Sequence, residues 1–251
     1  MQFKKDNLQV HVFAEKKKMS TTAAAFVAQK IRDAVRKNKA ANIIVATGAS
    51  QFEFLDALVQ ERDIEWSKVT AFHLDEYKDM SIEHPASFRK YLNERFFDLV
   101  HPGQVYLLNG DADDIDAEIS RYEQLLQEHD IDIACIGIGE NGHLAFNDPP
   151  VADFNDPHLV KVVELDESCR RQQLGEGWFP TIDDVPSHAL SLTIPAIMRA
   201  KTISCVVPDA RKAQAVASAL FDEISTACPA SILRRHESAE LWLDKSAASQ
   251  L

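Results

Sequence analysis

The sequence predicts an α/β fold: a doubly wound, mostly parallel sheet with helices on both faces. Three observations carry this. Short apolar runs such as residues 42–46 (NIIVA) and 132–138 (DIACIGI) lack polar alternation, the pattern of strands buried on both sides. Segments with helical spacing of apolar residues lie between such runs, which implies right-handed crossovers between parallel neighbours. Loops rich in glycine and acids follow the strands, at the end where open parallel sheets bind their ligands.

In chain order, residues 8–13 alternate weakly and read as an edge strand. Ser20 is an N-cap candidate for a helix reaching Asn38, with Val27, Ile31, Ala34 and Val35 on its apolar side. The strand at 42–46 leads through TGAS into a helix over 52–62, with Phe54, Leu55 and Leu58 inward. A strand over 69–75 ends in LDEY, and a helix over 85–99 carries Phe88, Tyr91, Leu92, Phe96 and Phe97. A short strand at 105–108 precedes a helix capped by Asp113 and ending near His129, with Ile115, Ile119, Tyr122 and Leu126 at helical spacing. After the strand at 132–138, residues 151–187 hold one strand (159–165), a short basic helix and an acidic, glycine-bearing loop. A segment this long within a compact domain reads as a lid or cover. Strands at 189–194, 202–207 and 239–243, with helices at 196–200 and 211–219, complete what reads as a single domain over residues 1–251, with room for an antiparallel edge.

Charge and cysteine usage narrow the function. Lysines and arginines number 27 against 39 acidic residues, a formal net charge of -12, and the basic residues are scattered. That balance disfavours nucleic acid or an anionic membrane as partner. The cysteines Cys135, Cys169, Cys205 and Cys228 form no CxxC pair, which fits a reduced cytoplasmic protein. The first twenty residues lack the apolar core of a signal peptide, and no run approaches a membrane span.

Chemistry concentrates in IGIGENGHLAFNDPP, residues 136–150. Gly137, Gly139 and Gly142 allow a sharp turn and close backbone approach. Glu140, His143 and Asp148 combine a near-neutral imidazole with acids, the ingredients of general acid/base catalysis. Thr47, Gly48, Ala49 and Ser50 precede a helix, where free N–H groups and the helix dipole favour an anion such as phosphate. Asp75 and Glu76 close a buried strand, where a carboxylate needs a partner or a function. Lys212 opens a helix after a strand.

Together, the ATGxS-type loop, LDEY, GIGxNGHxAFNDP and the later RKAQAV resemble the glucosamine-6-phosphate deaminase (isomerase) family over nearly the whole chain, including NGDADDIDAEISRYEQLL and PASIL. The resemblance implies a modified Rossmann-like fold. It also implies conversion of glucosamine 6-phosphate and water to fructose 6-phosphate and ammonia, with no metal or redox cofactor. By resemblance, Asp75 is the base that carries the proton between C2 and C1, and His143 the ring-opening acid/base. Asp148 and Asn141 assist the histidine, and Thr47, Gly48, Ala49, Ser50 and Lys212 bind phosphate. A homo-oligomer is left open.

Some positions depart from the family pattern. Asp148 stands where most members have glutamate, so it must come closer to His143 or act through water. Asn141 cannot ionise but can orient the imidazole. The family's phosphate-binding arginine before an aromatic pair is missing from RRQQLGEGWF, which leaves Arg170 or Arg171 as substitutes. Two neighbouring activities compete with the main reading. A 6-phosphogluconolactonase would share the glycine–histidine loop but continue it with serine and an aromatic rather than FNDP, and a galactosamine-6-phosphate enzyme differs only at C4. A non-catalytic sugar-phosphate sensor would need a DNA-binding module, for which residues 1–38 supply only one strand and one helix.

Overall fold

Eight strands form the main sheet of the computed structural model, which describes all 251 residues. In chain order the strands are β1 (Gln2–Lys5), β2 (Leu8–Phe13), β3 (Ala41–Val45), β4 (Val69–His73), β5 (Asp75–Tyr77), β6 (Gln104–Tyr106), β7 (Ile133–Ile136), β8 (Val160–Glu164), β9 (His188–Leu192), β10 (Ile203–Val207) and β11 (Ala239–Asp244). The main sheet runs β1-β2-β11-β10-β7-β3-β4-β6. Every pairing in it is parallel except β1 with β2. From β3 the chain winds outward through β4 and β6, then returns to β7 on the other side and continues through β10 and β11. The winding therefore reverses between β3 and β7, the switch point where sheets of this type open a crevice.

The helices are α1 (Lys16–Asn38), α2 (Phe52–Val59), α3 (Phe88–Leu92), α4 (Asp98–Val100), α5 (Ile115–Glu128), α6 (Glu167–Gly175), α7 (Ile194–Met198) and α8 (Ala213–Phe221). A π-turn (Asn93–Phe97) joins α3 to α4. Successive strand residues face opposite ways, and the core divides accordingly. Ile43, Val45 and Ala71 pack with Met19, Val27 and Ile31 of α1 and Phe54 of α2 on one face. Ile44, Phe72 and Ile136 pack with Tyr122 of α5, Ile197 of α7 and Val216 of α8 on the other. The four cysteines are buried and unpaired, and no helix is long and apolar enough to cross a membrane.

Several boundaries differ from the sequence reading for identifiable reasons. Leu8–Phe13 is not the sheet edge, because Gln2–Lys5 pairs outside it. Helix α1 starts a turn before Ser20, with Glu15 in extended backbone as its N-cap; Ser20 is buried within the helix beside Met19. Ser87 caps α3 by accepting from Lys90 N, and Asp114 rather than Asp113 caps α5 by accepting from Ala117 N. The strand expected over residues 69–75 is two strands. After His73 the chain leaves β6, and side chains take up the freed backbone groups. Tyr122 Oη accepts from His73 N (3.0 Å), and His73 Nε2 accepts from Leu108 N (2.8 Å). Leu74 O then accepts from Leu192 N, and Asp75–Tyr77 pairs with β9 in a second, antiparallel sheet ordered β5-β9-β8. The corner at Leu74 points Asp75 toward the switch point.

Tyr122→Phe removes the acceptor of a buried His73 N–H. It is expected to cost about 1–3 kcal/mol, the penalty of an unsatisfied buried donor, read as a lower urea midpoint with an unchanged slope.

Candidate active site

At the switch point, loops from β3, β4, β7 and β10 converge on one cleft. Thr47, Gly48 and Ser50 line it after β3, Asp75 after β4, His143 after β7, and Lys212 in the turn after β10. Gln172, Gln173 and Glu176, from α6 and its C-terminal end, close its remaining side. Other residues singled out from the sequence stand off the wall, among them Glu140, which pairs with Arg211. Asn141 and Asp148 lie behind His143, and Ala49 contributes its backbone N–H rather than a side chain.

The imidazole of His143 is held from behind. Its Nδ1 lies 2.8 Å from Asn141 Oδ1 and 2.9 Å from Asp148 Oδ1, while Asn141 Nδ2 donates to that same Asp148 oxygen at 2.7 Å. Both partners of Nδ1 are oxygens, so in a neutral ring they select the tautomer with the proton on Nδ1 and the lone pair on Nε2. The shorter side chain of Asp148 thus reaches the ring directly, without a bridging water. Burial raises the Asp148 pKa, but hydrogen bonding and charge from His143, followed by the Asn141 and Cys169 contacts, outweigh it and leave the carboxyl below its ordinary value. Gly139 is required by close approach: a β-carbon there would sit 2.1 Å from both Cε1 and Nε2 of His143. Donor atoms of His143, Asp148 and the buried Cys169 lie within 4.8 Å of one another, the one cluster with the composition of a metal site. The imidazole nitrogen on that side is already engaged by two oxygens.

The two acids of LDEY have opposite settings. Glu76 is fully buried, and its carboxylate accepts from the N–H groups of Tyr77, Phe88 and Arg89, from Ser87 Oγ and from Arg89 Nε. It is a structural cap on α3, its charge matched by Arg89. Asp75 is also buried but has no cation beside it. Burial, and then the neighbouring charge of Glu76, push its pKa up to about 8. A carboxylate so placed is a far stronger base than one in water.

Lys212 is buried in the cleft wall. Burial lowers its pKa, opposed by the negative charges of Glu140 and Glu176. Neither arginine proposed from the sequence reaches the cleft. Arg170 turns its guanidinium onto the carbonyls of Ile182 and Val185, and Arg171 pairs with Glu167 on the exposed side of α6. Glu176 lies there instead, its Oε2 accepting from Ala49 N at 3.4 Å. The sequence reading missed Glu176, Gln172 and Gln173. Their only local signal is a polar stretch, QQLGE, at the end of a short helix in a segment already read as a cover.

A family model described as glucosamine-6-phosphate isomerases/6-phosphogluconolactonase matches residues 14–242. The chain belongs to this family. The glucosamine-6-phosphate deaminase of Bacillus cereus (strain G9842) is 36% identical over 219 residues, which cover 87% of this chain and 81% of that protein. The deaminase of Bacillus anthracis (strain A0248) matches to the same extent, 36% over 219 residues. Among solved structures, a monomeric glucosamine-6-phosphate deaminase superposes with a TM-score of 0.87 at 34% identity, covering 96% of this chain and 99% of that one. A 6-phosphogluconolactonase from Thermotoga maritima reaches 0.77 at 17% identity, covering 95% and 100%, a likeness of fold.

Within this deaminase/lactonase family, the FNDP continuation has a concrete role in the present chain. Asn147 is fully buried and donates to the carbonyls of Leu144 and Leu192, which ties the histidine loop to β9. Phe146 stacks on Phe88 with ring centres 5.8 Å apart. The turn that follows delivers Asp148 behind His143. The loop geometry therefore depends on a side-chain amide and an aromatic at these positions.

The setting of Asp75 implies a cost to the folded protein. Its folded pKa lies above its unfolded value, so the folded state binds the extra proton, and stability falls as pH rises from about 4 to about 8. Asp75→Asn removes the charge while keeping the shape. The variant is expected to be more stable than wild type at pH 8 by at least about 1 kcal/mol, roughly 2–4 °C in Tm. The gain should shrink toward pH 5 and be measurable by calorimetry across that range.

Proposed function

We propose that this protein converts glucosamine 6-phosphate and water to fructose 6-phosphate and ammonia, by ring opening, aldose–ketose isomerisation and deamination. One observation carries the reading: two acid/base groups in contrasting settings, His143 and Asp75, share a single cleft with Lys212 and the loop Thr47–Ser50. The named deaminases at 36% and 34% identity support the same activity.

The chemistry follows from the groups present. A closed hexosamine has no acidic α-proton, so the ring opens first. Nε2 of His143 takes the proton from O1 while a proton is returned to O5, and Asp148 and Asn141 hold the ring through Nδ1 and stabilise its charged form. The open aldehyde makes the C2 proton acidic. Asp75 removes it, giving an enolamine, and returns a proton to C1. The product is a C2 imine that adds water and loses ammonia, leaving the ketose. Because Asp75 must be ionised to act, kcat/KM of the free enzyme rises with pH through a limb well above the usual carboxylate range. The phosphate lies against the N–H groups of Thr47–Ser50, with Lys212 as its cation. We read the chain as one catalytic domain in which residues 151–187 cover the site, acting in the reducing cytoplasm that its free cysteines suit.

The test is a panel of glucosamine 6-phosphate, galactosamine 6-phosphate, unphosphorylated glucosamine and 6-phosphogluconolactone, with ammonia and ketose phosphate measured separately. Both products from the first substrate are expected. Acid release from the lactone alone would replace this reading.

Asp75→Asn should lower kcat by about 10² to 10⁴, the usual loss for a general base, while ligand binding survives. In heavy water the wild-type product should carry deuterium at C1. Near-normal turnover in the variant would move the proton carrier elsewhere.

Lys212→Ala should raise KM for the phosphorylated sugar about tenfold or more, since a charge-assisted bond contributes roughly 1.5–3 kcal/mol. The same variant should lose its preference over the unphosphorylated sugar. Retention of both would mean that the anionic end of the substrate lies elsewhere.

A further inference from the structure

Glu176 holds a position that the proposed reaction leaves unexplained. Its carboxylate lies in the cleft, accepts from Ala49 N at 3.4 Å and packs over Gly48. This is the loop whose N–H groups would meet a phosphate. The charged groups on the cleft wall, besides His143, are Asp75, Glu176 and one cation, Lys212. Glu140 stands close enough to act on Lys212, and its own carboxylate pairs with Arg211. A phosphate dianion entering this space would meet a carboxylate already bonded to the donor it needs. At such separations like charges repel strongly, even when the surroundings are as polar as a protein surface. The two anions cannot share the loop.

The surroundings of Glu176 let it leave. It follows the last turn of α6, and its backbone N–H is held only by the carbonyls of that helix end. Gly175 and Gly177 stand on either side, with open space where a side chain would be, and Gly177 has a φ of +85° that favours glycine. Neither flank is packed against a neighbour that would resist a swing.

We infer that Glu176 is the charge-selecting residue of the anion subsite: in the empty protein its carboxylate takes the place of the ligand's phosphate, and a phosphorylated substrate binds by displacing it. This rests on the phosphate reading of Thr47–Ser50 given above. The consequence is a lower apparent affinity for phosphate, since the competent state is reached only after Glu176 moves out. Uncharged ligands would leave it in place.

Inorganic phosphate is the direct probe, measured by calorimetry on the full chain and as an inhibitor of turnover. Glu176→Gln keeps the shape and removes the charge. It should bind phosphate about tenfold more tightly than wild type and show a correspondingly lower KM for glucosamine 6-phosphate. Glu176→Ala should move both values in the same direction, and thermal melts establish that each variant is folded. Unchanged phosphate affinity in both folded variants would overturn the inference. Weakened affinity would overturn it too, making Glu176 a substrate contact rather than a competitor. Failure of the functional reading looks different. Wild type would then release no ammonia from glucosamine 6-phosphate, while calorimetry would still report whether phosphate and Glu176 compete.

Discussion

The buried carboxylate of Glu76 determines where the chain turns, and the site depends on that turn. Taking such a charge out of water costs several kcal/mol unless geometry and hydrogen bonds compensate. Here three backbone N–H groups, a hydroxyl and a guanidinium do so. Because all of those donors except the Tyr77 N–H belong to Ser87, Phe88 and Arg89 at the start of α3, the same bonds fasten that helix to β5. The corner between β4 and β5 is thereby fixed from one side by Glu76 and from the other by Tyr122 and His73. Asp75, one residue before Glu76, is left inside the protein without a cation. Its neighbour holds the donors of α3 and Arg89, while burial and the charge of that neighbour make Asp75 the stronger base.

Much of this was legible in the chain. Apolar runs at residues 42–46 and 132–138 mark the two strands that flank the switch point, because a strand covered on both faces has no polar alternation to offer. The glycine–histidine loop was readable as chemistry, and the assignments of Asp148 and Asn141 to the back of His143 followed from resemblance. What could not be read was the break at Leu74. Residues 69–75 alternate no differently on either side of it, and the cause lies in distant residues, Tyr122 and Leu192, that take over backbone hydrogen bonds. Ser20 misled for a related reason: it has the chemistry of a cap, but the apolar stripe of α1 extends back to Met19 and draws the helix start with it.

The proposed anion subsite shows the same limit from another direction. The resemblance implies an arginine before the aromatic pair that this chain lacks, and Arg170 and Arg171 are basic residues close to it in the chain. Folding sends one toward the carbonyls of Ile182 and Val185 and the other to solvent. Glu176, of the opposite charge, arrives at the loop because the helix phase of α6 and the glycine after it aim it there. Proximity along the chain carried no information about which side of this short helix faces the cleft.

The ends of the main sheet bear on how copies of this protein can meet. At one side β6 exposes only three residues of strand, and at the other β1 runs antiparallel to its neighbour and carries Lys4 and Lys5. Short edges and lysine-bearing edges are poor templates for another strand, since a partner would gain few ladder bonds and would bring two rows of positive charge together. The parallel sheet therefore stops at its own borders. Contacts between copies made away from those borders could be remade without disturbing the strand ends that hold His143 and Asp75.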